Sequence, residues 1–238
     1  MLKKIRQFLF KAMLRFFGIT IGAVILFRFV PVPFTLLMVQ RCVEQKFDSK
    51  DLKLKKDWVD LKDISNKMQL AVVCSEDQNF LFHHGFDFNA IEKAIKYNEK
   101  QQKRKKHRTR GASTISQQTA KNAFLFPARN FIRKGLEVYF TALIEIFWSK
   151  QRIMEVYLNV IEMGDGIYGV EAASQNYFHK HAKNLSQSEA GLIAACLPNP
   201  IKFNAGAPTA FVLKRQAFIS NQMNLWGGVL NYDMGEDD

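Results

Sequence analysis

RGASTISQQTAKN, residues 110–122, has the spacing of a helix but carries almost no apolar side chains. Thr114 and Gln117 have the T-x-x-Q spacing of a capping box, which predicts that a helix begins here. Ser113, Gln117 and Lys121 then stand at positions i, i+4 and i+8, on one helical face. Amides at a helix N-terminus and a lysine suit an anion, whereas hydroxyls and side-chain amides suit sugar hydroxyls. The alternative is an ordinary solvated face, although such faces usually carry Glu and Lys pairs.

A second motif, EDQNFLFHHGFD, occupies residues 76–87. Adjacent Glu76 and Asp77 follow an apolar run and precede three phenylalanines. A carboxylate placed among such neighbours is suited to proton transfer. The acids and the pair His83 and His84 do not match a standard metal-ligand spacing. A capped helix followed by a glycine turn is the alternative.

A third motif, ARNFIRKGLE, covers residues 128–137. On a helix, Arg133 and Glu137 are one turn apart, with an apolar stripe continuing beyond them. A surface ion pair would stabilise the helix only slightly. The functional interpretation places Arg129, Arg133 and Lys134, with one acid, beside a charged leaving group.

The N-terminus has the pattern of a membrane anchor. Residues 1–15 hold five basic residues and no acid, and the uncharged run FFGITIGAVILF follows. Residues 13–30 approach the roughly 20 residues that span a bilayer, provided that Arg15 and Arg28 extend to the two interfaces. The positive charge before this run predicts a cytoplasmic N-terminus and an exported remainder. A cleaved signal peptide is the alternative, but RFVPVP follows the run in place of a small-x-small cleavage site.

These features divide the chain into four predicted parts. They are a basic cytoplasmic N-terminus at 1–12, a transmembrane anchor at 13–30, a juxtamembrane connector at 31–60, and an exported domain at 61–238. From residue 61 onward apolar residues recur at helical spacing, so a mainly α body is expected. The polar stretch KQQKRKKHRTR at 100–110 is expected to be a mobile basic loop.

Composition limits the partners and the redox chemistry. The chain has 238 residues, 47% of them hydrophobic, and a formal net charge of +12. This charge points to an anionic partner, which could be nucleic acid, a membrane surface or a phosphorylated substrate. Cys42, Cys74 and Cys196 are odd in number and have no CxxC spacing, which indicates neither a zinc site nor a disulfide framework.

Five motifs in order resemble those of the bacterial peptidoglycan glycosyltransferases. They are EDxxFxxHxGFD at 76–87, GxSTIxQQxxKN at 111–122, RKxxE at 133–137, IMEVYLN at 153–159 and GVEAASQNYFHK at 169–180. The resemblance covers about residues 60–205. It implies a lysozyme-like α-rich head, a smaller hydrophobic lobe that enters the membrane, and one anchoring helix. The chain has no SxxK or KTG motif, so the transpeptidase activity of the related class A penicillin-binding proteins is not expected.

The resemblance also implies a substrate and roles for individual residues. The family polymerises lipid II, a disaccharide-pentapeptide carried on undecaprenyl diphosphate, and inverts the donor's anomeric carbon. Glu76 would be the general base and Glu137 the second catalytic carboxylate. The residues expected to bind substrate are Asp77, Phe80, His83, Ser113, Thr114, Gln117, Gln118, Lys121, Asn122, Arg129, Arg133 and Lys134.

Further expectations concern the surroundings of this site. No cofactor is required, although a divalent cation, Mg or Mn, is compatible with the diphosphate. Expected partners are lipid II, the growing glycan strand, the bacterial inner membrane and other cell-wall synthases, but not nucleic acid. The basic stretch at 100–110 is expected to touch anionic headgroups, with a solvated loop as the alternative.

Two other functions stay open at this point. A lysozyme-type hydrolase also uses two carboxylates, but it has no need of four cations around a diphosphate. A membrane-tethered nucleic-acid binder would explain the net charge and the basic stretch alone. It would leave both carboxylate motifs unexplained.

Overall fold

The computed structural model describes residues 1–49, 51–104, 111–128 and 130–235. Within these residues the chain forms ten α-helices and one three-stranded sheet, so the mainly α prediction is confirmed. The helices are α1 (Leu2–Phe29), α2 (Leu36–Phe47), α3 (Asn66–Glu76), α4 (Phe88–Lys103), α5 (Ile115–Phe124), α6 (Phe131–Phe147), α7 (Lys150–Val160), α8 (Val170–Phe178), α9 (Gln187–Cys196) and α10 (Ala210–Leu225). The strands are β1 (Lys55–Lys56), β2 (Glu162–Gly164) and β3 (Ile167–Tyr168).

Helix α1 is long and apolar enough to cross a membrane. Its 28 residues form one continuous helix, about 42 Å long at 1.5 Å per residue. It begins at Leu2, so residues of the predicted cytoplasmic segment continue the helix of the anchor. Most of its side chains are exposed, as expected for a surface that lipid would cover.

The C-terminal half of α1 is fastened to the globular part. The indole N–H of Trp148 donates to the carbonyl of Val24 at 2.8 Å. The guanidinium of Arg152 donates to the carbonyls of Phe27 and Val30, at the end of the helix, where carbonyls lack intrahelical partners. The anchor is therefore docked on the head and is not joined to it by a loose tether.

Helix α3 is the centre of the head. Residues 68–74 are all buried, which indicates a helix covered on every side. Helices α9 and α10 pack against it, and α5 packs between α6 and α7. Because α3 ends at Glu76, this carboxylate lies at the edge of the core.

The small sheet brings part of the predicted connector into the head. Strand β1 pairs in parallel with β3, and β2 pairs antiparallel with β3. Just after β1, the side-chain amide of Asn159 accepts from the N–H of Val59 at 3.0 Å and donates to its carbonyl at 2.9 Å. The packed fold therefore begins before residue 61, inside the segment 31–60 that the sequence assigned to the connector.

Local sequence signals mark two further helix boundaries. Ser149 separates α6 from α7 and caps α7, and Ser186 with Glu189 forms a capping box before α9. The basic stretch is different from its prediction, because α4 continues to Lys103, through residues expected to be loop. Residues 105–110 lie outside the described part of the chain.

Exposed apolar side chains gather on α6, a helix that packs against α1. Phe131 is 97% exposed and Ile132 is 77% exposed. The aromatic ring of Phe124, by contrast, stacks on Phe140 at 4.8 Å, and Leu125 is buried, so these two belong to the core. Apolar residues exposed beside an anchoring helix mark a surface suited to lipid.

Candidate active site

Glu76 lies at the wall of a cleft with a volume of about 920 Å³. Its Oε2 accepts from the side-chain amide of Gln118 at 3.1 Å, and its Oε1 lies 3.3 Å from the hydroxyl of Ser75. Ser113 and Gln118 line the same cleft. A carboxylate held at both oxygens beside an open cleft can take a proton from a molecule bound there.

Asp77 and His83 join the end of α3 to the start of α5. Asp77 Oδ2 accepts from the backbone N–H of Ile115 at 2.9 Å. His83 Nδ1 accepts from the N–H of Gly85 at 3.1 Å, so Nε2 carries the proton that it donates to Asp77 at 3.0 Å. Both side chains are largely buried, and they set the position of Glu76 relative to Gln118.

A glycine closes the turn after the histidines. Gly85 has a φ of +86°, and a Cβ there would lie 2.8 Å from the Cγ2 of Thr141. Its carbonyl accepts from the hydroxyl of Thr114 at 2.7 Å, which locks the turn onto the cap of α5. The motif at 76–87 is therefore held in one conformation and supports the site, and only glycine fits at position 85.

More of the polar side chains of α5 than expected are buried and form hydrogen bonds within the protein. Thr114 and Gln117 form the predicted capping box, but Gln117 is thereby buried. The hydroxyl of Ser116 donates to Glu145, and that of Thr119 donates to the carbonyl of Ile115. Most of this helix is packed against neighbouring protein, so the prediction that it leaves a whole face to a ligand is wrong.

The predicted polar face stays accessible only in part, at Ser113 and Lys121. Ser113 precedes the helix, and Gln117 is occupied by the cap. Gln118 and Lys121, three residues apart, are the partly exposed polar side chains that follow. Gln118 donates to Glu76, whereas the charged groups that act on Lys121 are Glu137, Arg133 and Lys134 of α6, and Glu76.

A cationic cluster surrounds Glu137. Arg133 and Lys134 each donate to one oxygen of its carboxylate, which is only 4% exposed. Together with Lys121, three positive charges and one negative charge leave two positive charges in excess. This excess matches the charge of a diphosphate diester.

Lys121 links the two carboxylates. Burial lowers the pKa of its ammonium below the ordinary value, and neighbouring Arg133 and Lys134 lower it further. Glu137 and Glu76 act in the opposite direction, which means that both carboxylates lie within electrostatic reach of one lysine. The structure therefore brings together the cation cluster and the first carboxylate, from α5, α6 and α3.

The residues around Glu137 do not fit a metal ion held by the protein. Both carboxylate oxygens are already occupied by Arg133 and Lys134. Among the described residues, no three His, Cys, Asp or Glu side chains are grouped as metal ligands would be. Metal ligands need free oxygen or nitrogen lone pairs, and this cluster offers cations instead.

Three predicted site residues remain. Phe80 is fully buried in the core. The side-chain amide of Asn122 donates to the carbonyl of Gln118 at 2.9 Å, and Asn122 is 8% exposed. Arg129 lies outside the described residues.

Sequence reasoning missed the two basic cleft residues on α10, Lys214 and Arg215. Arg215 donates to Ser75, which is 140 positions away along the chain. No motif spacing could reveal this contact. The three cysteines are unpaired, and burial raises the pKa of the Cys74 thiol to about 12 and that of Cys196 to about 11.

Comparisons with known proteins identify the family. A sequence model described as "Transglycosylase" matches residues 44–224, most of the chain. The chain belongs to the transglycosylase family. The match begins within the segment assigned to the connector, in agreement with the inclusion of β1 in the head.

Curated relatives of this transglycosylase are identical to it at more than half of the aligned positions. A "Biosynthetic peptidoglycan transglycosylase" from Bdellovibrio bacteriovorus is 56% identical over 92% of this chain and 86% of its own length. Proteins of the same name from Mannheimia succiniciproducens and Haemophilus influenzae are 55% and 53% identical. They align with 91% and 89% of this chain, and with 86% and 85% of their own lengths. The lysozyme-like, mainly α head is that of the transglycosylase domain.

Proposed function

We propose that this transglycosylase polymerises lipid II into β-1,4 glycan strands with release of undecaprenyl diphosphate. The observation that carries the proposal is the position of Lys121, a half-buried cation within electrostatic reach of both Glu76 and Glu137. It joins a carboxylate on a sugar-sized cleft to a cluster with two excess positive charges. A hydrolase acting on neutral glycosidic bonds would gain little from that cluster.

The proposed reaction uses Glu76 as the general base. Its carboxylate takes the proton from the 4-hydroxyl of the acceptor sugar as that oxygen attacks the anomeric carbon of the donor. The bond from this carbon to the diphosphate oxygen breaks on the opposite side, and the electron pair leaves with the diphosphate. Attack opposite the leaving group inverts the anomeric centre from α to β.

The cation cluster stabilises the leaving group. Negative charge grows on the diphosphate oxygen as its bond to carbon lengthens, so Lys121, Arg133 and Lys134 interact more strongly with the transition state than with the ground state. Arg129 is proposed to join them, by the family resemblance. Arg133 and Lys134 both donate to Glu137, so the charge stabilisation proposed here comes from this chain's own cations, and a divalent cation bound by the diphosphate stays compatible with it.

Glu137 acts in this proposal by holding the cations. Its buried carboxylate contacts Arg133 and Lys134 directly. It therefore holds the two cations in place although they repel each other. Ser113 and Gln118 face the cleft and are proposed to contact sugar. The other residues that the sequence predicted to bind substrate are largely buried and are proposed to support Ser113 and Gln118. They are Asp77, Phe80, His83, Thr114, Gln117 and Asn122.

The direct test is incubation of the detergent-solubilised full chain with labelled lipid II. We expect polymer that lysozyme digests, together with released undecaprenyl diphosphate. Failure to consume lipid II under conditions in which a known glycosyltransferase polymerises it would contradict the proposal. Shortening of preformed glycan without lipid II consumption would favour the lysozyme-type alternative.

We further propose that the N-terminus is cytoplasmic and that the head faces the periplasm. The basic residues before the apolar stretch support this orientation, and the exposed apolar side chains of α6 support contact of the head with the membrane. The basic residues at 100–110 are proposed to meet anionic headgroups at the same membrane face. We expect protease added to spheroplasts to digest the head while leaving a tag at residue 1 intact, and digestion of the tag alone would reverse the orientation.

A further inference from the structure

A short chain of polar contacts leads from α10 to Glu76. The guanidinium of Arg215 donates to the Ser75 hydroxyl oxygen at 3.2 Å. That oxygen lies 3.3 Å from Glu76 Oε1 and 3.1 Å from the carbonyl of Ala194. Helix α10 packs against α3, so the contact between Arg215 and Ser75 joins two elements of the core.

The single proton of the Ser75 hydroxyl limits the hydrogen bonds that these contacts can form at one time. A serine hydroxyl has one proton to donate and can accept through its oxygen lone pairs. When Arg215 donates to the oxygen of Ser75, the hydroxyl proton is left for Glu76 or for the carbonyl of Ala194. Donation to Glu76 fixes Oε1, while Gln118 already fixes Oε2 at 3.1 Å. When the proton is directed to Glu76, two donors hold the two oxygens and set the plane of the carboxylate.

We propose that Arg215, acting through Ser75, is a positioning residue that holds the Glu76 carboxylate in the orientation in which it accepts the proton. This inference rests on the proposed function, in which Glu76 is the base. Arg215 is suited to the role because its guanidinium is planar and donates in fixed directions. Its Nε is buried and has no hydrogen-bond partner in the described part of the chain. The hydrogen bond to Ser75 orients the guanidinium.

A direct contact with substrate is the competing explanation, since Lys214 and Arg215 both line the cleft of Glu76. The two explanations differ in what the cation does. A substrate contact acts mainly on KM, whereas an oriented base acts on kcat. Lys214 offers the comparison, because it adds a positive charge to the same cleft but has no contact with Ser75 among the described residues.

The experiment is a double-mutant cycle on lipid II polymerisation with Ser75→Ala and Arg215→Gln. We expect each single variant to lower kcat by about 10- to 100-fold, since a misplaced reacting group costs that much, with KM changed less than about threefold. The double variant should be no slower than the slower single variant, because both changes break one chain of contacts. Ser75→Thr keeps the hydroxyl and should recover most of kcat, which excludes loss of folding as the cause.

Three outcomes would overturn the inference. They are multiplicative losses in the double variant, a rise in KM with kcat unchanged, and an equal loss of kcat in Lys214→Gln. Glu76→Gln separates this inference from the proposed function. If Glu76→Gln is inactive while Ser75→Ala and Arg215→Gln keep the native kcat, only the positioning role fails. If Glu76→Gln polymerises at the native rate, the assignment of the base fails and the positioning role falls with it.

Discussion

Glu76→Gln should lower the rate of lipid II polymerisation by about 10²- to 10⁴-fold, the usual contribution of a general base. The amide keeps the size of the side chain and can still contact Gln118, but it cannot take a proton from the acceptor hydroxyl. Binding of lipid II should change little, because the cation cluster around Glu137 is untouched. Steady-state assays that separate kcat from KM are the measurement.

Glu92→Gln is the matched control for this variant. Glu92 is an exposed carboxylate on α4 that pairs with Lys96, and the change removes the same charge from the solvated surface. We expect native polymerisation from it. A Glu76→Gln protein with the native kcat and the native thermal stability would remove Glu76 as the base.

Local parts of the fold were predictable because their causes lie within four residues of sequence. Thr114 with Gln117 and Ser186 with Glu189 satisfy the free amides of their own helices, so the spacing alone determines the outcome. The start of the packed domain was less predictable. Whether Lys55 lies in a connector or in a sheet depends on Ile167, its partner in β3, and no local pattern encodes that pairing.

The accessible part of the site was harder to predict than its composition. Charge and residue type pointed to an anion site and to acids, and the structure gathers Lys121 with both carboxylates. Which face of α5 remains open, however, depends on Glu145 accepting from Ser116 and on Gln117 folding back into its own cap. These hydrogen bonds depend on the tertiary structure, and the sequence alone does not show which of several polar side chains form them. The link from Arg215 to Ser75 is of the same kind.

Lys121→Gln should lower kcat by about 10²- to 10³-fold, the range expected when a group that stabilises developing charge is removed from an enclosed site. Lys121 is half-buried, so water compensates for the loss of its charge less effectively than it would at the surface. Lys121→Arg keeps a cation and should retain much of the activity. Lys96→Gln, which removes an exposed ammonium, should behave as the native protein. Equal activities for Lys121→Gln and the native chain would show that the diphosphate departs elsewhere.

The same lysine should set the alkaline limit of the reaction. Because burial and the cations of α6 lower its pKa, Lys121 in the free enzyme loses its proton at a lower pH than an exposed lysine does. The charge that receives the diphosphate is thus present at low pH and is lost as pH rises through that pKa, so kcat/KM should fall along an alkaline limb. In Lys121→Arg this limb should move to higher pH, since a guanidinium stays protonated there. An alkaline limb that does not move in Lys121→Arg would assign it to another group, and Lys121 would then act without titrating in the measured range.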